Sequence, residues 1–311
     1  MIERDKQAIQ SRRDEGVNML SLANDNLVVS VLDPVADQVR LGSRYCTGGY
    51  VYDVTDRRLG PITSGPGYPD EAYPPIFDGQ GLPEAFHSFY YPGCEGAALN
   101  TLPPTGTPML VIGVGIVPSP ASRDVRQMPV GEFCQWQVSQ TATDLVMKTS
   151  QSFGEWALTL TRTLRLVNRT LISETRLENT GAAPIHFRWF PHPFFPNPKG
   201  PDSTGECCKF NVPVSFPENI GYELKESGFI TLKLDHEWDR AGHFQALTVG
   251  SGDKLVTTQR HPKTGLIVAT CSYAPSFLPI WGNRHTFSFE PYTEQTVAPK
   301  ASSTWSIVYD F

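Results

Sequence analysis

The sequence predicts an all-β fold, and three observations predict it. Apolar and polar residues alternate with period two in several segments, as in Leu158-Thr-Leu160-Thr-Arg-Thr-Leu164-Arg-Leu166. The 311 residues include 27 prolines and 26 glycines, enough for many turns. Strand-like segments recur from Leu27 almost to the C-terminus with no internal repeat and no linker. In chain order, residues 2–20 suit a short helix with charges on most faces and Val17, Met19, Leu20 and Leu22 near its end. The expected organisation is a helical N-terminal extension, 1–23, followed by one β-sandwich domain, 24–311. Leu27–Leu32 is the first apolar strand. Ile230, Leu232 and Leu234 alternate with polar neighbours, as do Trp305, Ile307, Tyr309 and Phe311. The proline-rich segments Gly60–Gly81 and Pro191–Pro217 are expected to be long surface loops, and two such loops in an all-β chain favour a cleft that they rim.

Composition excludes several classes of function. A formal net charge of −6 argues against sequence-blind binding to nucleic acid. No run approaches the ~18 apolar residues of a membrane span, and Met1–Asn18 lacks the apolar stretch of a secretory signal. Cytoplasmic location is the expectation. The six cysteines show no C-x-x-C spacing, so neither a zinc ribbon nor a disulfide framework is indicated. Cys207-Cys208 reads either as a redox or metal pair or as an incidental feature of a loop.

One imidazole and one carboxylate stand out. His192 lies in Phe190-Pro191-His192-Pro193-Phe194-Phe195 and Glu290 in Phe289-Glu290-Pro291-Tyr292, each beside a proline that cannot continue a sheet's ladder. Each should therefore project from a strand end. The first strand leaves the turn Asn179–Pro184 and runs Ile185-His-Phe187-Arg-Trp189; the second runs His285-Thr-Phe287-Ser-Phe289. Together they can act as acid and base; taken singly, His192 can be a capping histidine and Glu290 a surface residue at a bend. Arg44, ahead of Gly48-Gly49, can fork onto a ligand's hydroxyls or pair with an acid. Asp235, in Asp235-His236-Glu237-Trp238-Asp239, can orient hydroxyls or belong to a polar hairpin. Trp281, Trp189, Phe187 and Tyr292 can stack on a sugar ring or fill the core. Arg188, with Arg44, Arg57 and Arg58, is a candidate contact for a phosphorylated sugar. No His-x-His or His-Glu-x-x-His spacing calls for a metal, and Gly113-Val-Gly115 is only a fragment of a dinucleotide fingerprint.

Four segments together resemble the galactose mutarotase-like superfamily, the aldose 1-epimerases and their divergent relatives. They are Asn179-Thr180-Gly181 through His192-Pro193-Phe194-Phe195; Phe289-Glu290-Pro291; His261-Pro-Lys-Thr-Gly265 before Leu266-Ile267-Val268; and Phe77–Phe86 followed by Met109–Gly115. The resemblance implies a large antiparallel β-supersandwich with an open sugar-binding face. It also implies an isomerase that interconverts α and β anomers without a cofactor, Glu290 taking the anomeric proton and His192 protonating the ring oxygen. His87 stands in the region of the family's early cleft histidine, and Asp235 or Asp239 in that of its ligand-orienting aspartate. The expected partner is a monosaccharide or modified sugar. A non-catalytic carbohydrate-binding or regulatory protein on the same scaffold is the alternative, and a polysaccharide lyase or hydrolase a third class.

Overall fold

The computed structural model describes residues 19–66, 79–94, 102–120, 128–198, 205–233, 236–239 and 241–311. The alternation in Leu158–Leu166 becomes a strand, Trp156–Val167, whose even positions are all buried. It lies within a ten-stranded antiparallel sheet ordered Trp136–Gln140, Asp144–Phe153, Trp156–Val167, Thr170–Asn179, Ser302–Asp310, Gly265–Cys271, Val256–His261, Glu206–Phe210, Ile230–Leu232, Tyr222–Leu224. Two smaller antiparallel sheets face it. One joins Thr293–Val297, Ile185–Pro191 and Glu84–Phe86; the other joins Phe195–Pro196, Thr286–Phe289, Leu278–Gly282, His243–Val249 and Val214–Ser215. Aromatic contacts close the sandwich. Phe187 stacks on Trp305 at 4.8 Å, Phe195 meets Tyr309 at 6.5 Å and Phe210 meets Phe289 at 6.5 Å. Each such side chain is buried, and removing its apolar surface from water contributes roughly 1.5–3 kcal/mol. Two four-stranded sheets, one of Leu20–Ala23, Leu27–Val31, Val51–Asp56 and Gly60–Pro61 and one of Phe89–Tyr90, Pro108–Val111, Gly115–Pro118 and Glu132–Phe133, add to the β-architecture expected from the sequence.

Four expectations are corrected in detail. Leu20 and Leu22, placed near a helix end, belong to the strand Leu20–Ala23, which pairs with Leu27–Val31; residues 1–18 lie outside the described residues. Gly60–Gly81 is not simply a surface loop, because Gly60–Pro61 pairs with Thr55 and Asp56, and Ile62, Thr63 and Ser64 are buried. The described residues of Pro191–Pro217 include the strands Phe195–Pro196, Glu206–Phe210 and Val214–Ser215. Cys207 and Cys208 therefore lie in a strand; a register shift between Glu206 and Cys208 lets adjacent residues both be fully buried, against the usual alternation. The Gly113–Gly115 fragment is the turn joining Pro108–Val111 to Gly115–Pro118.

The topology positions the site at a seam. Residues 192–194 carry the chain from Ile185–Pro191 in the three-stranded sheet to Phe195–Pro196 in the five-stranded one. Residues 290–292 carry it back, from Thr286–Phe289 to Thr293–Val297. Pro191, Pro193 and Pro291 lack the N–H that would extend either ladder, so both crossings break pairing at the same place.

Candidate functional site

The two crossings bring His192 and Glu290 together. Nε2 of His192 lies 3.3 Å from Oε1 of Glu290, and the residues are 4% and 6% exposed. The neighbouring backbone is pinned: the His192 N–H donates to the Pro83 carbonyl at 2.9 Å and the Glu290 N–H to the Pro279 carbonyl at 2.9 Å. Along Thr286–Phe289 side chains alternate, so Ser288 and Glu290 share a face while Phe287 and Phe289 fill the core. Both polar residues grip one ring. The Ser288 hydroxyl lies 2.7 Å from Nδ1 of His192, which leaves Nε2 to face the carboxylate. Phe194 stacks on the imidazole at 4.3 Å, and Tyr45 and Trp281 approach it edge-on at 6.4 Å each.

A cavity of about 130 Å³ opens beside this pair. Ser43, Arg44, Ala85, His87, Phe89, Phe190, Glu290 and Tyr292 are on its wall. His192 meets that wall through Glu290. Burial sets the electrostatics: it pushes the Glu290 carboxyl up to about 7, while the Arg44 charge and the Tyr292 hydroxyl, 3.3 Å from Oε2, pull it down. Burial, reinforced by Arg44, also holds His192 well below the usual histidine range. His87 is lowered by burial, then by Arg188 and Arg44. A low-dielectric pocket thus disfavours the charged form of both central groups, and the Glu290 carboxyl takes up or releases its proton near neutral pH.

The remaining residues separate. Arg44 and His87 reach the cavity, and the Arg44 guanidinium lies 5.0 Å from the centre of the Tyr45 ring. Arg188 is committed to Glu294, its cross-strand partner, with Nε donating to Oε1 at 2.7 Å, and its guanidinium stands 5.7 Å from the Tyr292 ring at the cavity's edge. Trp281 flanks the imidazole and is not on the cavity wall. Asp235 lies outside the described residues, as do Phe77 and Asp78. Asp239 is exposed and caps a turn by accepting the Gly242 N–H at 2.9 Å. Cys207 and Cys208 are free thiols sealed in the core, where burial raises both pKa values. Sequence reasoning did not single out Ser288. Its signal was its place two residues before Glu290, on the same face of a strand.

No helix among the described residues is long and apolar enough to cross a membrane. No family model and no curated protein matches the chain. Solved structures do match over nearly the full length. The chain is similar to a galactose mutarotase related enzyme from Lactobacillus acidophilus, with TM-score 0.58 and 11% identity over 94% of this chain and 96% of that one. A protein from Escherichia coli K12, provisionally named an aldose 1-epimerase, gives TM-score 0.55 and 16% identity over 95% and 99%. A galactose mutarotase-like protein from Lactobacillus casei gives 0.52 and 12% over 94% and 99%. At these identities the likeness concerns the fold, and it agrees with the sheets already described. The chain has the galactose mutarotase-like β-sandwich fold.

Proposed function

We propose that the protein is an aldose 1-epimerase-like isomerase that interconverts the α and β anomers of a free or modified sugar. The observation that carries this reading is the 3.3 Å approach of His192 Nε2 to Glu290 Oε1 at the wall of a cavity, with burial opposing both charges. Ring opening of a hemiacetal needs one proton removed from the anomeric hydroxyl and one delivered to the ring oxygen, with no net change. The buried pair holds the proton required. Below about pH 7 a neutral carboxyl faces a neutral imidazole; moving the proton to Nε2 gives a carboxylate base and an imidazolium acid. Glu290 then accepts the anomeric proton as His192 protonates the ring oxygen, which restores the neutral pair and leaves the open-chain aldehyde. Rotation about the C1–C2 bond and closure by the reverse steps give the other anomer. The contact between Oε1 and Nε2 opens as the two sugar oxygens take its place. Arg44 and His87 supply hydroxyl contacts on the wall, Arg188 borders it and Trp281 supports the imidazole.

A second reading draws on the depth of the pair. His192 is held at both ring nitrogens and is 4% exposed, which suits a sugar-binding or regulatory protein without turnover. Exchange spectroscopy by NMR across a panel of aldoses separates the two. The isomerase reading expects catalysed exchange, reduced by about 10²–10⁴-fold in Glu290→Gln and in His192→Asn while sugar binding measured by calorimetry persists. Binding without acceleration in the wild type would decide for the second reading.

A further inference from the structure

A charged side chain lies in the sandwich core, on the even-numbered face of Trp156–Val167 that is otherwise apolar. Arg162 is fully buried, and its guanidinium reaches three parts of the chain. Nη2 pairs with the Glu84 carboxylate and donates to the Ser173 hydroxyl at 3.0 Å; Nη1 donates to the Thr175 hydroxyl; Nε donates to the Gly48 carbonyl at 3.3 Å. The Ser173 hydroxyl in turn donates to Oε1 of Glu84 at 2.6 Å. Gly49 is required beside it. Its φ is +75°, and a Cβ there would stand 2.9 Å from Nε of Arg162.

A buried ion pair is weak support for stability, since apolar residues of similar volume commonly serve as well. What this one does is fix geometry. Through the Gly48 carbonyl it holds the turn at Gly48–Gly49, which follows the turn bearing Ser43, Arg44 and Tyr45 after two residues. Through Glu84 it holds the strand Glu84–Phe86, whose Glu84 carbonyl accepts the Cys46 N–H at 2.8 Å and whose residues Ala85 and Phe86, with His87, are on the cavity wall. Glu84 is also the register partner of Pro191, and the adjacent Pro83 carbonyl anchors the His192 N–H. We infer that Arg162 and Glu84 are positioning residues: their pair sets the 43–49 segment and the Glu84–Phe86 strand so that the imidazole of His192 meets the carboxylate of Glu290.

The test uses the full chain and two variants, the double substitution Arg162→Met with Glu84→Leu, and Ser173→Ala, with nitrogen NMR of the His192 imidazole, thermal unfolding, and anomer-exchange kinetics on D-glucose and D-galactose. The double variant is expected to unfold in one transition. Its His192 should lose the Glu290 contact and titrate closer to an ordinary histidine, and kcat should fall by about 10²-fold with KM little changed, the cost of a misplaced reacting group. Ser173→Ala removes one hydroxyl from the network and should shift the imidazole titration the same way by less. It decides the matter where the double variant does not fold. A folded double variant with the wild-type His192 titration, or Ser173→Ala with no shift at all, overturns the inference. The rate arm rests on the isomerase reading, whereas the imidazole arm does not. A wild type without exchange activity whose His192 still responds to these substitutions would overturn the isomerase reading and leave the positioning role standing.

Discussion

Glu84 and Glu290 are both almost fully buried, 3% and 6% exposed, yet they are partnered in opposite ways. Glu84 faces an arginine, which keeps its charge at any pH a protein survives, and a serine hydroxyl covers its other oxygen. Glu290 faces an imidazole and a tyrosine hydroxyl, and burial raises it to about 7. The difference lies in what the partner can give up. A permanent cation turns a buried carboxylate into a fixed joint; a titratable partner leaves the other carboxyl able to take up and release its proton near neutral pH. One sandwich therefore contains both a fixed ion pair and a titratable one, and Glu290 of the second lines the cavity.

The comparison breaks most visibly at the fixed pair. Arg162→Met alone leaves the Glu84 charge buried without its cation and should cost about 3–5 kcal/mol in urea unfolding; a loss below about 1 kcal/mol would show that Glu84 does not depend on Arg162.

The titratable pair behaves in the reverse sense. A folded-state value of about 7, raised from an ordinary 4.5, means that the folded chain keeps a proton which the unfolded chain has released. The stabilising contribution of this group is complete below 4.5 and is lost as the pH rises through 7. Glu290→Gln, uncharged throughout, should match the wild type near pH 4 and gain on it steadily up to pH 7, by about 2–3 kcal/mol. Unfolding curves across that range check it, and a difference independent of pH would show that Glu290 is ionised normally. His192 contributes the opposite slope below the usual histidine range, because its folded value is depressed.

Ser288→Ala removes the partner of Nδ1 from a buried ring and should cost about 1–3 kcal/mol. It should also mix the imidazole tautomers, visible in nitrogen chemical shifts; an unchanged tautomer would remove Ser288 from the site. Tyr292→Phe is the mildest change, about 0.5–1.5 kcal/mol for one hydrogen bond. Without the phenol hydroxyl the Glu290 carboxylate loses support, so on the isomerase reading the alkaline limb of the pH–rate profile should move upward from about 7. A stationary or falling limb would show that the hydroxyl does not stabilise the carboxylate.

Much of this was legible in the sequence, for reasons that differ from residue to residue. Period two exposes a strand whose two faces meet different surroundings, so Trp156–Val167, Ile185–Trp189 and Ser302–Asp310 were readable. Arg162 was the exception within the first of these, and its meaning depended on Glu84, remote in sequence and invisible to any local pattern. The expected loop Pro191–Pro217 hid Glu206–Phe210 because a bulged strand lacks clean alternation. His192 and Glu290 were legible through their flanking prolines and the resemblance they complete. Ser288 was not, since a serine in a strand is unremarked until its neighbour across the sheet is known. Asp235 remains an expectation from sequence alone.

The strand Thr286–Phe289 gives the site an all-or-none character. Ser288 and Glu290 hold opposite nitrogens of one ring from alternate positions of a single extended segment. A one-residue slip would exchange the two faces together, presenting phenylalanines to His192 and burying both polar groups in the core. Assembly of the site and correct threading of that short segment are thus one event. Misaligned molecules in a refolding mixture should lack both contacts rather than one, and the fraction regaining the Ser288 and Glu290 contacts to His192 should equal the fraction correctly threaded.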